Sequence, residues 1–164
     1  MENGEWSIED GRQQRGGGVY SLFAISYSLR QVTEQRRITG VIFSDLGQAS
    51  SFMSLDWVQN ALREGLGFSP YPATLNLKLV SEKEMAVWWE VQRQMAGIDI
   101  ISPDPSFCQA RCFLVEVEGI YKGAVLLPGV EGYPADKIEV IAPVRLKDEL
   151  HVRDGERLTL EFTD

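Results

Sequence analysis

From Phe107 onward the chain is written largely with a period of two, and that period restricts it to β-structure. In "SFCQARCFLVEVEG" apolar and polar residues alternate along Phe107–Glu118. Further strands are expected at Ala124–Leu127, at Ile138–Ala142 and in the closing "RLTLEF". Turn-forming stretches ("EGIYKG", "PGVEGYPAD", "RDGE") separate them, and "RLKDEL" predicts one short helical turn. Successive side chains leave a strand on opposite faces, so each of these runs has a face to bury. Several short antiparallel strands with few helices point to a mainly-β fold, a small barrel with inserted helices.

The first half supplies those helices. "ITGVIFS" reads as a strand and "DLGQASS" as a loop. In "LDWVQNALREGLG", Leu55, Val58, Leu62 and Leu66 recur at helical spacing, with Ser54 as N-cap and Gly65 or Gly67 as the stop. A loop, "FSPYPA", leads into a strand over Thr74–Leu79. Ser81 and Glu84 then form a capping-box pattern, which predicts a helix over "SEKEMAVWWEVQRQM". "DIISPDPS" reads as a loop. Residues 1–37 form an N-terminal extension: the first 18, polar and ending in "GGG", read as a disordered tail, and 19–37 as either a helix or an extra strand. Residues 38–164 are expected to be one domain.

Charge narrows the partners. The chain has 164 residues and a net charge of −8. Five acids (Glu2, Glu5, Glu9, Asp10, Glu34) and five arginines (Arg12, Arg15, Arg30, Arg36, Arg37) balance within the first 38, so the excess lies in the rest. Such a domain suits nucleic acid poorly, because phosphate affinity rests on cation density. It can still hold a small phosphorylated ligand through a metal ion or backbone N–H groups. No apolar run approaches the length of a bilayer span and no signal-peptide core is present, so no membrane partner and a cytoplasmic location are expected; a monomer is the separate expectation for the chain. Cys108 and Cys112 lie four strand residues apart, about 13 Å, too far to bridge or share a metal. Both are expected to be inert core thiols in a reducing compartment. The one histidine, His151, leaves His-rich zinc sites and a Ser-His-Asp triad without material and is expected in a turn. Neither GxxxxGK nor GxGxxG occurs.

"YPATLNLKL" remains. Leu75, Leu77 and Leu79 share one strand face, and Thr74, Asn76 and Lys78 the other. A Thr hydroxyl and an Asn carbonyl about 7 Å apart along a strand can point at one hard cation, which would arrive with a nucleotide because neutral ligands hold it weakly. They can equally satisfy backbone groups at a strand end.

A resemblance extends this reading. "SDLGQASSFMSL", "LGFSPYPATLNLKL", "GAVLLP" and "IEVIAPVRLKDELHVRDGERLTLEF" occur in the order and approximate spacing of the archaeal CTP-dependent riboflavin kinases, and from Gly40 onward the chain resembles that family. The resemblance implies a six-stranded cradle-loop barrel that transfers the γ-phosphate of CTP to the 5′-hydroxyl of riboflavin, giving FMN and CDP. It implies Mg²⁺ held by Thr74 and Asn76. It places the nucleotide at the loop Asp45, Leu46, Gly47, Gln48, Ala49 and Ser50, and at Val144, Arg145, Leu146 and Lys147. Flavin contacts fall on Glu131 and Glu139. Glu139 can also accept the hydroxyl proton, or serve the flavin by hydrogen bonding alone.

The chain departs from the family in its substrate loops. Where the family resembles "SGLGEGR", this chain has "SDLGQAS": Asp45 and Ala49 stand for glycines and Ser50 for a basic residue. Glycines let backbone N–H groups approach phosphate, and an aspartate repels it. Glu131 falls where a flavin-contacting threonine is expected. A weakened relative that binds flavin or nucleotide is therefore the second reading. Some family members carry an N-terminal DNA-binding domain, for which the extension leaves no room. The C-terminal block also resembles the swapped-hairpin segment of bacterial transition-state regulators, which bind DNA as dimers; the acidic balance and the upstream blocks favour the kinase.

Overall fold

The structure, a computed structural model, describes residues 36–164. The expected tail and the helix or strand over 19–37 lie outside the described residues, apart from Arg36 and Arg37. Seven strands follow: β1 (Arg37–Phe43), β2 (Leu75–Lys78), β3 (Ile98–Ile100), β4 (Ala110–Val117), β5 (Tyr121–Pro128), β6 (Lys137–Ile141) and β7 (Arg157–Phe162). The helices are α1 (Gln48–Met53), α2 (Asp56–Leu66), α3 (Glu82–Gln94) and the single turn α4 (Leu146–Glu149).

All strand pairs are antiparallel, in the order β3-β4-β5-β6-β2-β1-β7, and β4 also pairs with β7. Six strands therefore close into a barrel, as expected. Closure works because β4 divides one edge: Val115–Val117 pair with β7, while Ala110–Cys112 pair with β3 outside the ring. The stretch "DIISPDPS", expected as loop, begins inside β3. Three residues are too few for a period to show; the Asp99–Arg111 ion pair (2.7 Å), 12 residues apart in sequence, joins β3 to β4.

Alternation sorts the core into two clusters. Inside the barrel lie Ile38, Ile42, Leu75, Leu77, Phe113, Val115, Val125, Ile138, Val140, Leu158 and Leu160, closed off by Trp88 and Val91 of α3. Trp88 meets Phe113 edge-on at 5.5 Å and stacks on Phe162 at 5.8 Å. On the outer face of the β4–β5–β6 wall, Cys112, Ala124, Leu126 and Ile141 pack with Met53, Val58 and Leu62 of α1 and α2. At Gly123 a Cβ would meet the Ile141 carbonyl oxygen at 2.6 Å, so only glycine allows β5 and β6 to approach this closely.

The helix signals held in part. Ser81 caps α3, its hydroxyl accepting from Glu84 N at 3.2 Å. Glu84 does not return the bond. Its Oε2 accepts instead from Thr39 N at 2.9 Å, satisfying a β1 donor beyond the pairing with β2, which starts at Val41. Ser54 is not the N-cap of α2; Leu55 holds that place, and Ser54 closes α1 by donating to Ser50 O at 2.8 Å. Gly67 (φ 76°) ends α2. "DLGQASS" is loop only as far as Gly47 (φ 75°), after which α1 begins. His151 sits exposed in a turn at φ 53°.

The cysteines divide. Cys112 is fully buried, and burial pushes its thiol pKa up to about 12. Cys108 is exposed, because the strand starts at Ala110 rather than Phe107. A thiol reagent at pH 8 should label Cys108 alone in the native protein and both thiols after denaturation, counted by mass spectrometry; labelling of native Cys112 would contradict its burial.

Candidate functional site

The polar face of β2 lies on the outside of the barrel, where α1 and the loops cover it. Between them lies a cavity of about 570 Å³, within the range of small-molecule sites. Phe52, Met53, Leu126, Pro128 and Ala110 form an apolar wall, and Thr74, Asn76, Glu139, Lys137 and Asp45 a polar end. The architecture explains that division. Asn76 and Glu139 are directly paired across β2 and β6, on the face opposite Leu75, Leu77, Ile138 and Val140. What one strand face gives the barrel interior, the other gives the cavity.

Asn76 (9% exposed) and Glu139 (7%) are the only buried polar or charged residues among those described. Burying a carboxylate is costly unless it is paired. Glu139 Oε1 accepts from the Tyr133 hydroxyl at 2.8 Å and lies 3.1 Å from Lys137 Nζ. Oε2 has no partner among the described residues. Burial first, then the charge and hydrogen bond of Glu139, raise the Tyr133 pKa, so the phenol remains a donor. Lys137 also donates to Asp45 Oδ2 at 2.6 Å and lies 5.6 Å above the Tyr133 ring. Burial opposes the Lys137 charge, but Asp45 and Glu139 outweigh it and its pKa is raised. The hydrogen bond from Lys137, then that from Leu46 N, lower the pKa of Asp45.

Thr74 Oγ1 and Asn76 Oδ1 lie 3.5 Å apart at the cavity wall. Neighbouring ligands on octahedral magnesium are about 3 Å apart, and the ion takes oxygen ligands while keeping several waters. Two neutral oxygens at nearly that spacing fit such an ion as part of its shell. The rest must come from water and ligand, since no group of three or more His, Cys, Asp or Glu side chains forms a metal cluster among the described residues.

Most of the expected positions converge here. Asp45, Leu46, Gly47, Ala49 and Ser50 line the cavity with Val144, Arg145, Leu146 and Lys147. Gln48 opens α1 in the same segment. Lys147 donates to Ser44 Oγ at 3.0 Å and to Asp154 at 2.6 Å, tying the α4 turn to the end of β1. Glu131 is exposed and does not line the cavity; after Gly132 (φ 74°) it is Tyr133 that faces inward. Tyr133, Lys137 and Cys108 line the cavity and were missed. Tyr133 and Lys137 stand in or beside an irregular loop where periodicity gives no direction. Among the described residues no helix is long and apolar enough to cross a membrane.

A cleft on the outside of a closed six-stranded barrel, with oxygens and charge at one end and an apolar slot at the other, defines a binding site for an amphipathic, charged small molecule. The chain belongs to the CTP-dependent riboflavin kinase family: the family model CTP-dep_RFKase, described as a domain of unknown function, DUF120, matches residues 42–162. It is similar to the riboflavin kinase of Archaeoglobus fulgidus, 37% identical over 128 residues that cover 76% of this chain and 54% of that protein. The riboflavin kinase of Pyrobaculum arsenaticum is 34% identical over 131 residues (76% and 60%). That of Methanococcoides burtonii is 32% identical over 126 residues (76% and 56%). The chain thus spans somewhat over half the length of these relatives.

Proposed function

We propose that this chain transfers the γ-phosphate of a nucleoside triphosphate, CTP by its family, to the 5′-hydroxyl of riboflavin, giving FMN. The observation that carries this reading is the cavity's division: Thr74 and Asn76 offer paired oxygens beside buried Glu139, while Phe52, Met53 and Leu126 offer an apolar wall. The isoalloxazine ring suits that wall and its ribityl hydroxyl the polar end. Thr74 and Asn76 would hold Mg²⁺, which when bound neutralises phosphate charge. The loop from Asp45 to Ser50 and the turn from Val144 to Lys147 flank the same end and would embrace the nucleotide. Phosphoryl transfer depends mainly on positioning and charge neutralisation, so a preformed cavity can supply much of the catalysis.

Glu139 is the acceptor for the hydroxyl proton. Tyr133 and Lys137 occupy its Oε1, which fixes the carboxylate and leaves Oε2 for substrate. The Asp45–Lys137 ion pair compensates the charge that Asp45 brings to the loop, which favours an active enzyme over a weakened binder.

Purified protein incubated with riboflavin, Mg²⁺ and CTP, ATP or GTP should form FMN, resolved by chromatography, with CTP the best donor. Absence of FMN with all three would overturn the assignment.

A further inference from the structure

We infer that Lys137 is a catalytic cation, which leaves Asp45 to meet the transferring phosphoryl group, and that Asp45 is the positioning residue holding it ready in the free protein. The inference rests on the kinase reading and deepens it. Among the described residues three cationic side chains line the cavity: Lys137, Arg145 and Lys147. Arg145 pairs with Asp148 (3.1 Å) within the α4 turn, and Lys147 with Asp154 (2.6 Å) in the turn before β7 while also donating to Ser44. Lys137 differs in place. Its ammonium bridges Asp45, in the loop after β1, and Glu139, on the barrel wall beside Asn76. It therefore stands between the segment proposed for the nucleotide and the carboxylate proposed for the riboflavin hydroxyl.

The side chain is 18% exposed, against 31% for Lys147 and 56% for Arg145, so its charge acts with the least screening by water of the three. An ammonium has three N–H donors. Glu139 and Asp45 take two, and a phosphate oxygen can take the third or displace the more exposed Asp45. The Asp45 side chain (41% exposed) can then turn to solvent at little cost, whereas buried Glu139 keeps its bond. The step balances without further reactants. The riboflavin oxygen forms its bond to the γ-phosphorus as the bond from that phosphorus to the β–γ bridging oxygen breaks. The hydroxyl proton passes to Glu139, and the electron pair of the broken bond leaves on the nucleoside diphosphate. Lys137 donates hydrogen bonds throughout and keeps its proton.

The test uses Lys137→Met, Lys137→Arg, Asp45→Asn and the double variant D45N/K137M in the full chain. Lys137→Met should lower kcat about 100-fold, as loss of one transition-state donor typically does, with the KM for riboflavin within about threefold of the parent. Lys137→Arg should recover part of that loss, since it keeps the charge. Lys137→Met also leaves two carboxylates unbalanced and can unfold the protein. In the double variant the loop carboxylate is neutral as well; it should melt closer to the parent and still lack turnover. Wild-type kcat in the double variant would overturn the inference, reducing Lys137 to a counter-ion for Asp45. Calorimetric titration with CTP and Mg²⁺ reads the same contact without turnover: K137M should bind at least about tenfold more weakly, and an unchanged Kd would overturn the inference. If the parent protein binds CTP but makes no FMN, the kinase reading fails and this titration still decides on Lys137.

Discussion

Thr74→Ala and Asn76→Ala should each lower FMN formation about 100-fold while the melting temperature stays within a few degrees of the parent. Their two side-chain oxygens lie 3.5 Å apart, long for a hydrogen bond, so little native stability resides in that contact. Neither is held in place by another side-chain hydrogen bond among the described residues, and the leucines on the opposite face anchor β2 without them. What the substitutions remove is ligand capacity at the cavity's polar end. Losing about 100-fold corresponds to about 2.7 kcal/mol at the transition state, of the order expected when a charge-neutralising contact is weakened. If the loss is one of metal affinity, raising the Mg²⁺ concentration should recover part of it in Thr74→Ala. Parental turnover in both variants would remove the pair as ligands.

The largest effect on stability is expected from Phe113→Ala, a loss of about 3–5 kcal/mol in urea unfolding. Phe113 is 1% exposed, in the barrel interior beneath the helix α3 that closes it. Its ring receives Trp88 edge-on, and Trp88 in turn stacks on Phe162, so this side chain couples α3 to β4 and β7. Truncation forfeits the transfer of the ring from water and leaves a cavity between hydrogen-bonded strands and Trp88, walls that resist collapse. For a chain of this size the change should lower the melting temperature by roughly 10 °C. A loss below about 1 kcal/mol would mean that Trp88 repacks into the space and that the barrel is less tightly specified than its contacts indicate.

The two predictions fall on opposite faces of the same wall, and this explains how much could be read in advance. Alternation located six strands and sorted Leu75 and Leu77 from Thr74 and Asn76, because side-chain direction in a strand is a local property of the backbone. The capping residue of α3 was legible for the same reason, since Ser81 and Glu84 are within one turn. Local reading failed where the chain is irregular or the element short. α1 was taken as loop, β3 was missed, and Cys108 was assigned to a strand that begins two residues later. The second half of the capping box failed too, because Glu84 found a better donor in Thr39, 45 residues away.

The site divides along the same line. Thr74 and Asn76 shared a strand face by alternation, while Glu139, the loop from Asp45 to Ser50 and the turn from Val144 to Lys147 followed only from the family resemblance; the fold gathers them round one cavity. Glu131, placed by the resemblance alone, stays at the surface, in a loop where this chain departs from the family. Tyr133 and Lys137 gave no signal. Lys137 lies 92 residues from Asp45, and in sequence the first is one lysine in a polar stretch and the second an unfavourable charge in a phosphate loop. The sequence alone therefore determined which residues belong to which face, because that depends on backbone geometry a few residues long. Only the closed barrel decided which charges meet, because the energy of an ion pair depends on distance and burial, and both are set by strands far apart in the chain.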